Sequence, residues 1–319
     1  MLRSLLNLGN EHVLRPFDLK IVRRSRVLYT EPEPDGGSAT KRIAFFHPPK
    51  CGGTSVNKWL CAAFGGPAGL DPIAAEAAAR NLHISSVELR EVMLAYFVQR
   101  SRARFISGHF NYSSRAFEGH EDEFDLVTIL RNPVDRLLSN YYFNRFLEDR
   151  IHFPIEVELS DWLETDQARA MARVFTKMFV GDTDDAAALN QTGECPDMPA
   201  AIAKAIHNLE KFKIVGTLEE LKGFEAEIRQ RYGVKSRIGH LRKSPRPGYL
   251  KFSEQPRDVQ ERLLELCQPD MLIYERFARK APQARHSLQP VASVAGLVTC
   301  LLMGSATVDM IAPLVIDVF

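Results

Sequence analysis

The chain has 319 residues, 45% hydrophobic and 25% charged, the balance of a soluble globular protein with room for one large domain or two small ones. Its formal net charge is +1, which argues against a nucleic-acid binder, so any anionic ligand must be held by local basic groups. The five cysteines, Cys51, Cys61, Cys195, Cys267 and Cys300, are odd in number and far apart; this excludes a CxxC zinc or redox site and points to a reducing, cytoplasmic setting.

Residues 1–40 read as an extension, closed by the breaker-rich linker Glu31–Ser38. The opening run MLRSLLNLGNEHVLRPF is too interrupted by Asn and Glu to act as a secretory signal. From Lys41 the pattern becomes α/β. Ile43–Phe46 is an apolar run that predicts a buried strand. A glycine-rich loop follows, then a helix over 55–64 on the spacing of Val56, Trp59 and Leu60. Asp71 is placed to cap an Ala-rich helix to Arg80, and Ser85 or Ser86 a further one to about Arg100. Arg104–Ser107 and Asp125–Leu130 predict two more strands. Asn132 then suits an N-cap and Pro133 the first helical position, with Leu137, Leu138, Tyr141 and Tyr142 at helical spacing. Helices are expected over 160–179, 200–211, 218–231, 254–267 and 269–280, and a short strand over Lys213–Gly216. Strands alternating with helices imply an α/β fold with a parallel sheet and ligands at its carboxyl edge. The domain is set at 41–285, with a tail over 286–319. Val291–Val308 in that tail carries no formal charge and is about the minimum length of a membrane span. It admits two readings, a membrane attachment or a segment packed on the domain or on a neighbouring subunit.

The segment His47-Pro-Pro-Lys-Cys-Gly-Gly-Thr-Ser55 lies between the first strand and its helix. Gly52 and Gly53 let backbone approach a ligand closely. The helix start offers unpaired N–H groups and the positive end of a dipole. Lys50 adds a point charge, and Thr54 and Ser55 add hydroxyl donors. Together these make a phosphate or sulfate cradle, against the plainer alternative of a glycine turn. A Walker loop places its lysine after the last glycine, whereas Lys50 precedes both.

Pro49-Lys50-Cys51-Gly52-Gly53-Thr54-Ser55 resembles the 5′-phosphosulfate loop of sulfotransferases, usually PKTGGTS, with Cys51 in place of the common Thr. The resemblance extends, in chain order, to three more segments of sulfotransferase family 2, the heparan sulfate and uronyl 2-O-sulfotransferases. Leu130–Phe143 is similar to the 3′-phosphate motif, so Arg131 and Ser139 inherit that contact. Ser107-Gly-His-Phe-Asn-Tyr112 is similar to the GHxxY stretch that carries the family's catalytic base, here His109. His240-Leu-Arg-Lys-Ser244 is similar to the segment that closes over the nucleotide, here through Arg242 and Ser244, and Tyr274–Ala278 resembles the closing helix.

The resemblance implies a P-loop-like parallel sheet flanked by helices, the sulfotransferase fold. It implies 3′-phosphoadenosine 5′-phosphosulfate (PAPS) as donor, a hydroxyl acceptor, expected to be a saccharide, and no metal. His109 would take the acceptor proton, and Lys50 with the loop would stabilise the leaving phosphate. One departure bears on the acceptor. The relatives carry a basic stretch soon after the YYF helix, whereas residues 147–161 here are acidic, which disfavours a polyanionic glycan. Two other readings compete, a P-loop kinase or NTPase, and a non-catalytic glycan-binding module on the same fold.

Overall fold

The computed structural model describes residues 41–65, 68–69, 72–100, 104–146, 154–181, 183–239 and 248–278. These belong to the first of two units into which the chain divides, Met1–Ala281. The 1–40 extension, the Asp71 cap, residues 147–153, the Arg242 and Ser244 segment and the 286–319 tail lie outside the described residues.

Five strands form one parallel sheet: β1 Arg42–Phe46, β2 Ala68–Gly69, β3 Phe105–Gly108, β4 Phe124–Leu130 and β5 Ile214–Thr217. Their order is β2-β3-β1-β4-β5, with every pairing parallel. The central strands are buried on both faces, the reason they read as continuous apolar runs. Register aligns Phe46 with Gly108 on one side and with Thr128 on the other.

The chain leaves β1 through α1, Gly53–Phe64, toward the β2–β3 side. Two helices, α2 Pro72–Leu82 and α3 Ser86–Gln99, precede β3, and Ser85 caps α3 by accepting from the Glu88 N–H at 3.0 Å. After β4 the chain turns the other way, into α4, Pro133–Arg145. The carboxyl ends of β1 and β4 therefore flank the point where the winding reverses, the place where open α/β sheets bind ligands.

Short helices follow: α5 Leu159–Trp162, α6 Asp166–Ala172, α7 Val174–Phe179 and α8 Thr183–Gln191. Then come α9 Met198–Glu210 before β5, α10 Leu221–Tyr232 after it, and the long α11, Arg257–Ala278. Two expectations are corrected here. The helix over 160–179 is three pieces, because Thr165 turns its hydroxyl onto the Ala168 N–H and starts α6 afresh. The pair over 254–267 and 269–280 is one helix running through Pro269. An internal proline costs about 3 kcal/mol or more, and burial on both sides of it offsets that. Val259, Leu263 and Leu266 pack in a core with α4, α5 and α6, while Ile273 and Phe277 join the core around the sheet.

On one face of the sheet, Phe64 of α1 meets Phe105 of β3 and Tyr232 of α10. On the other, Phe46 packs edge-on against Phe212, which also meets Phe179 of α7. The four described cysteines are free thiols. Among the described residues no helix is long and apolar enough to cross a membrane.

Candidate functional site

The loop after β1 takes its shape from two residues in the left-handed region, Lys50 at φ 67° and Gly52 at φ 76°. Glycine suits position 52 for that reason, and an added Cβ there would lie 2.7 Å from Leu218 Cδ1. Gly53 answers a different need, since a Cβ on it would lie 2.5 Å from His47 Nδ1. The helix α1 begins without a side-chain cap and without an acidic residue in its first turn. Its leading N–H groups thus form a positive end suited to an anion.

Arg131, at the end of β4, reaches across the switch point and donates from Nη1 to the Lys50 carbonyl at 3.1 Å. The Lys50 ammonium lies 3.4 Å from the centroid of the Phe143 ring on α4, a cation–π contact. Phe143 is one helical turn beyond Ser139, so the stripe of α4 that carries Ser139 is the one turned toward the loop. Ser139 itself is buried. Asn132 caps α4, accepting from the N–H groups of Val134 and Asp135, and its own N–H donates to Glu219 Oε1 at 2.9 Å.

His109 stands where β3 ends. The His47 N–H donates to the Gly108 carbonyl at 3.3 Å, extending the β1–β3 ladder by one step. His109 Nδ1 then lies 2.6 Å from the His47 carbonyl oxygen, and the two imidazoles are 4.3 Å apart. A carbonyl only accepts, so Nδ1 carries the proton and Nε2 of the neutral ring keeps its lone pair. Burial is the main cause that holds His109 down at about 4, with Arg90 and Lys177 adding to it and the bond to His47 opposing. Burial, and then His109, hold His47 well below the usual imidazole range. At neutral pH both rings are uncharged.

Behind His109 lies a group of buried cations. Arg90 donates from Nη1 to the His109 carbonyl at 3.4 Å, and among the described residues its buried Nε meets no acceptor. Lys177, on α7, donates to Asn190 Oδ1 at 2.8 Å; burial first, then Arg90 and Arg136, bring it down to about 7. The Tyr112 N–H donates to the Met178 carbonyl at 2.6 Å, which ties the His109 loop to that same helix. Asp270 of α11 fixes α7 in turn, taking the Phe175 and Thr176 N–H groups and the Thr176 hydroxyl at 2.7–2.9 Å. Burial is what raises the Asp270 carboxyl.

No family model and no curated protein matches this chain. The assignment of the site therefore rests on its own residues. The fold brings Lys50, Gly52, Gly53 and the α1 start together with Arg131 and, on the other side of His47, with His109. Pro49 and Ser55 are partly exposed on the loop and Thr54 is exposed. Cys51 departs from expectation. Its side chain is fully buried, its thiol is pushed up to about 12 by burial, and its N–H turns back to the Pro48 carbonyl at 3.4 Å. It fills the core beneath the loop and offers the cradle little. Tyr112, the tyrosine of the GHxxY stretch, is likewise a core residue, packed against Phe46 and Phe212.

The sequence reading gave no role to His47 and Phe143, which stand at the ends of its quoted segments, and passed over Arg90, Lys177 and Glu219. Lys177 had a signal, a lone charge inside the apolar run Val174–Val180. His47 acts through its backbone carbonyl, which no residue type announces.

Proposed function

We propose that this protein is a sulfotransferase that moves a sulfuryl group from PAPS to a hydroxyl, one carried by a saccharide. The observation that carries the reading is convergence. Lys50 and Arg131 come from adjacent strand ends onto one uncapped helix start, and a neutral imidazole with a free Nε2 stands at the next strand end.

The residues suit such a donor. The α1 start, Lys50 and the N–H groups of Gly53 and Thr54 would hold its phosphosulfate end. Arg131 and Ser139 would hold the 3′-phosphate, Arg131 through the planar fork that fits phosphate. When bound, the donor supplies the sulfuryl group and a phosphate leaving group. His109 accepts the acceptor's hydroxyl proton at Nε2 while His47 keeps its Nδ1 proton in place, which fixes the tautomer. The Lys50 ammonium and the loop N–H groups stabilise the negative charge that gathers on the leaving phosphate. Burial, with Arg90 and Lys177 adding to it, keeps His109 unprotonated between turnovers.

Thermal shift tests the donor half of this reading. Stabilisation by adenosine 3′,5′-bisphosphate, and none by ATP with Mg²⁺, is expected; the reverse result favours a P-loop NTPase. Transfer of labelled sulfate from PAPS to a panel of glycans and small hydroxyl compounds tests the chemistry. Nucleotide binding with no transfer to any of them would favour the non-catalytic module.

A further inference from the structure

The stripe of α4 that meets the loop does not stop at Phe143. Phe146 lies three residues further on the same face, about 5 Å along the axis. It stacks on Tyr142 with an interplanar angle of 12°, and the residue is 47% exposed. Tyr249 packs on Tyr142 from the side at 4.8 Å, and Gln255 Nε2 holds the Leu250 carbonyl at 3.1 Å and the Tyr142 hydroxyl at 3.3 Å. Leu250 and Val157 are also exposed. An aromatic platform therefore begins one turn from the Lys50 ammonium.

Its rim is acidic. Residues 155–158 run along the last turn of α4: the Ile155 N–H donates to the Asn144 carbonyl and the Tyr141 hydroxyl to the Val157 carbonyl. Between Pro154 and Asp166 the chain carries five acidic residues, Glu156, Glu158, Asp161, Glu164 and Asp166, and no basic one; Glu158 pairs with Arg145, Glu164 with Arg262 and Asp166 with Arg169. Arg145, in the last turn of α4, is engaged by Glu158 at 2.9 Å and by the Ile155 carbonyl at 3.3 Å. A polyanion laid on this stripe would meet repulsion. An uncharged sugar ring would meet an aromatic face for its C–H edge and carboxylates that accept from its hydroxyls.

We infer that Phe146, backed by Tyr142 with Tyr249 packed against that ring, is an acceptor subsite that seats an uncharged saccharide ring one turn from Lys50. The inference rests on the sulfotransferase reading for the word acceptor, and on the α4 stripe alone for the binding.

The test uses the full chain with adenosine 3′,5′-bisphosphate, and cellotetraose and heparin as probes in saturation-transfer NMR. Cellotetraose is expected to receive saturation at its ring protons and to bind more tightly than heparin. Phe146→Ala should weaken it by about tenfold, the scale of one lost aromatic stacking contact, and Phe146→Trp should restore it. Phe146 is exposed enough for both variants to keep the fold, which circular dichroism checks. No saturation transfer to cellotetraose, equal binding by Phe146→Ala, or tighter binding of heparin would each overturn the subsite. Failure of the nucleotide to stabilise the chain, with cellotetraose still held at Phe146, would instead sink the sulfotransferase reading and leave the saccharide site standing.

Discussion

Replacing Gly53 with alanine puts a methyl group where the support of His109 stands. The added Cβ would lie 2.5 Å from His47 Nδ1, 2.8 Å from Cγ and 2.9 Å from Cβ. Comfortable carbon contacts are about 3.5–4 Å, so His47 would have to retreat by most of an ångström. Rotation about χ1 moves the ring but leaves Cβ almost in place. The backbone of His47 is pinned on both sides, at 3.3 Å to the Gly108 carbonyl and at 2.6 Å to His109 Nδ1. Overpacking of this kind costs about 1–3 kcal/mol, and the better helix propensity of alanine returns at most ~1 kcal/mol. A net loss of 1–2 kcal/mol lowers Tm by about 2–8 °C in a domain of this size. Calorimetry measures the loss, and ¹⁵N NMR of the imidazoles measures its cause. In the parent at pH 7 His109 should show a protonated Nδ1 and a bare Nε2; in the variant the two tautomers should mix. A Gly53→Ala protein as stable as its parent, with the His109 tautomer unchanged, would refute the idea that Gly53, His47 and His109 form one packed unit.

Lys177→Met should raise Tm, and raise it most below pH 7. The folded-state value near 7 lies below the ordinary 10.5, so the unfolded chain binds more protons between those limits. The burden of the buried charge is therefore complete below pH 7 and fades as pH rises toward 10.5; a Tm gain that grows with pH would contradict it. His109→Gln should lower sulfuryl transfer by about 10²–10⁴-fold while the stabilisation by adenosine 3′,5′-bisphosphate stays as it was, and unchanged turnover would remove the base. With His109 held down at about 4, its lowered value means that the neutral, proton-accepting ring persists through pH 5–8. The His109-dependent limb of the pH–rate profile should then fall only as pH approaches 4, and a limb centred near 6.5 would argue against the burial described. Asp270→Ala removes three hydrogen bonds from the start of α7 and the carboxylate that offsets Arg136, and should cost about 3–5 kcal/mol in a urea titration. A loss under ~1 kcal/mol would mean that α7 holds itself.

The sheet was legible because parallel strands buried on both faces must be written as short apolar runs; β1, β3 and β4 lie within a residue or two of their expected positions. What escaped was local structure decided by tertiary contacts. Thr183–Gln191 reads TDDAAALNQ, with little apolar periodicity, yet it folds as α8. Pro269 reads as a helix end, yet the buried residues on either side carry α11 through it. The strand–loop–helix turn at 47–55 was legible for a similar reason to the strands, since two adjacent glycines between an apolar run and a helical pattern mark a tight turn onto a helix start. Arg131 was singled out only by likeness to a family, and that likeness did not foretell the contact it makes here. Its hydrogen bond is to the backbone of Lys50, 81 residues away, and a backbone acceptor leaves no trace in residue types. The same holds for His47. Phe143 looked like one more apolar residue of a helix until Lys50 was found above it.

The continuous α11 has a consequence for how this molecule comes apart. The chain has two tryptophans, and each belongs to a different core, Trp59 on α1 and Trp162 on α5. Because one rigid rod contributes side chains to both cores, neither can melt while the rod stays seated in the other. Fluorescence from Trp59 alone and from Trp162 alone should therefore trace the same unfolding curve, with one midpoint and one slope, although the two indoles report from separate clusters.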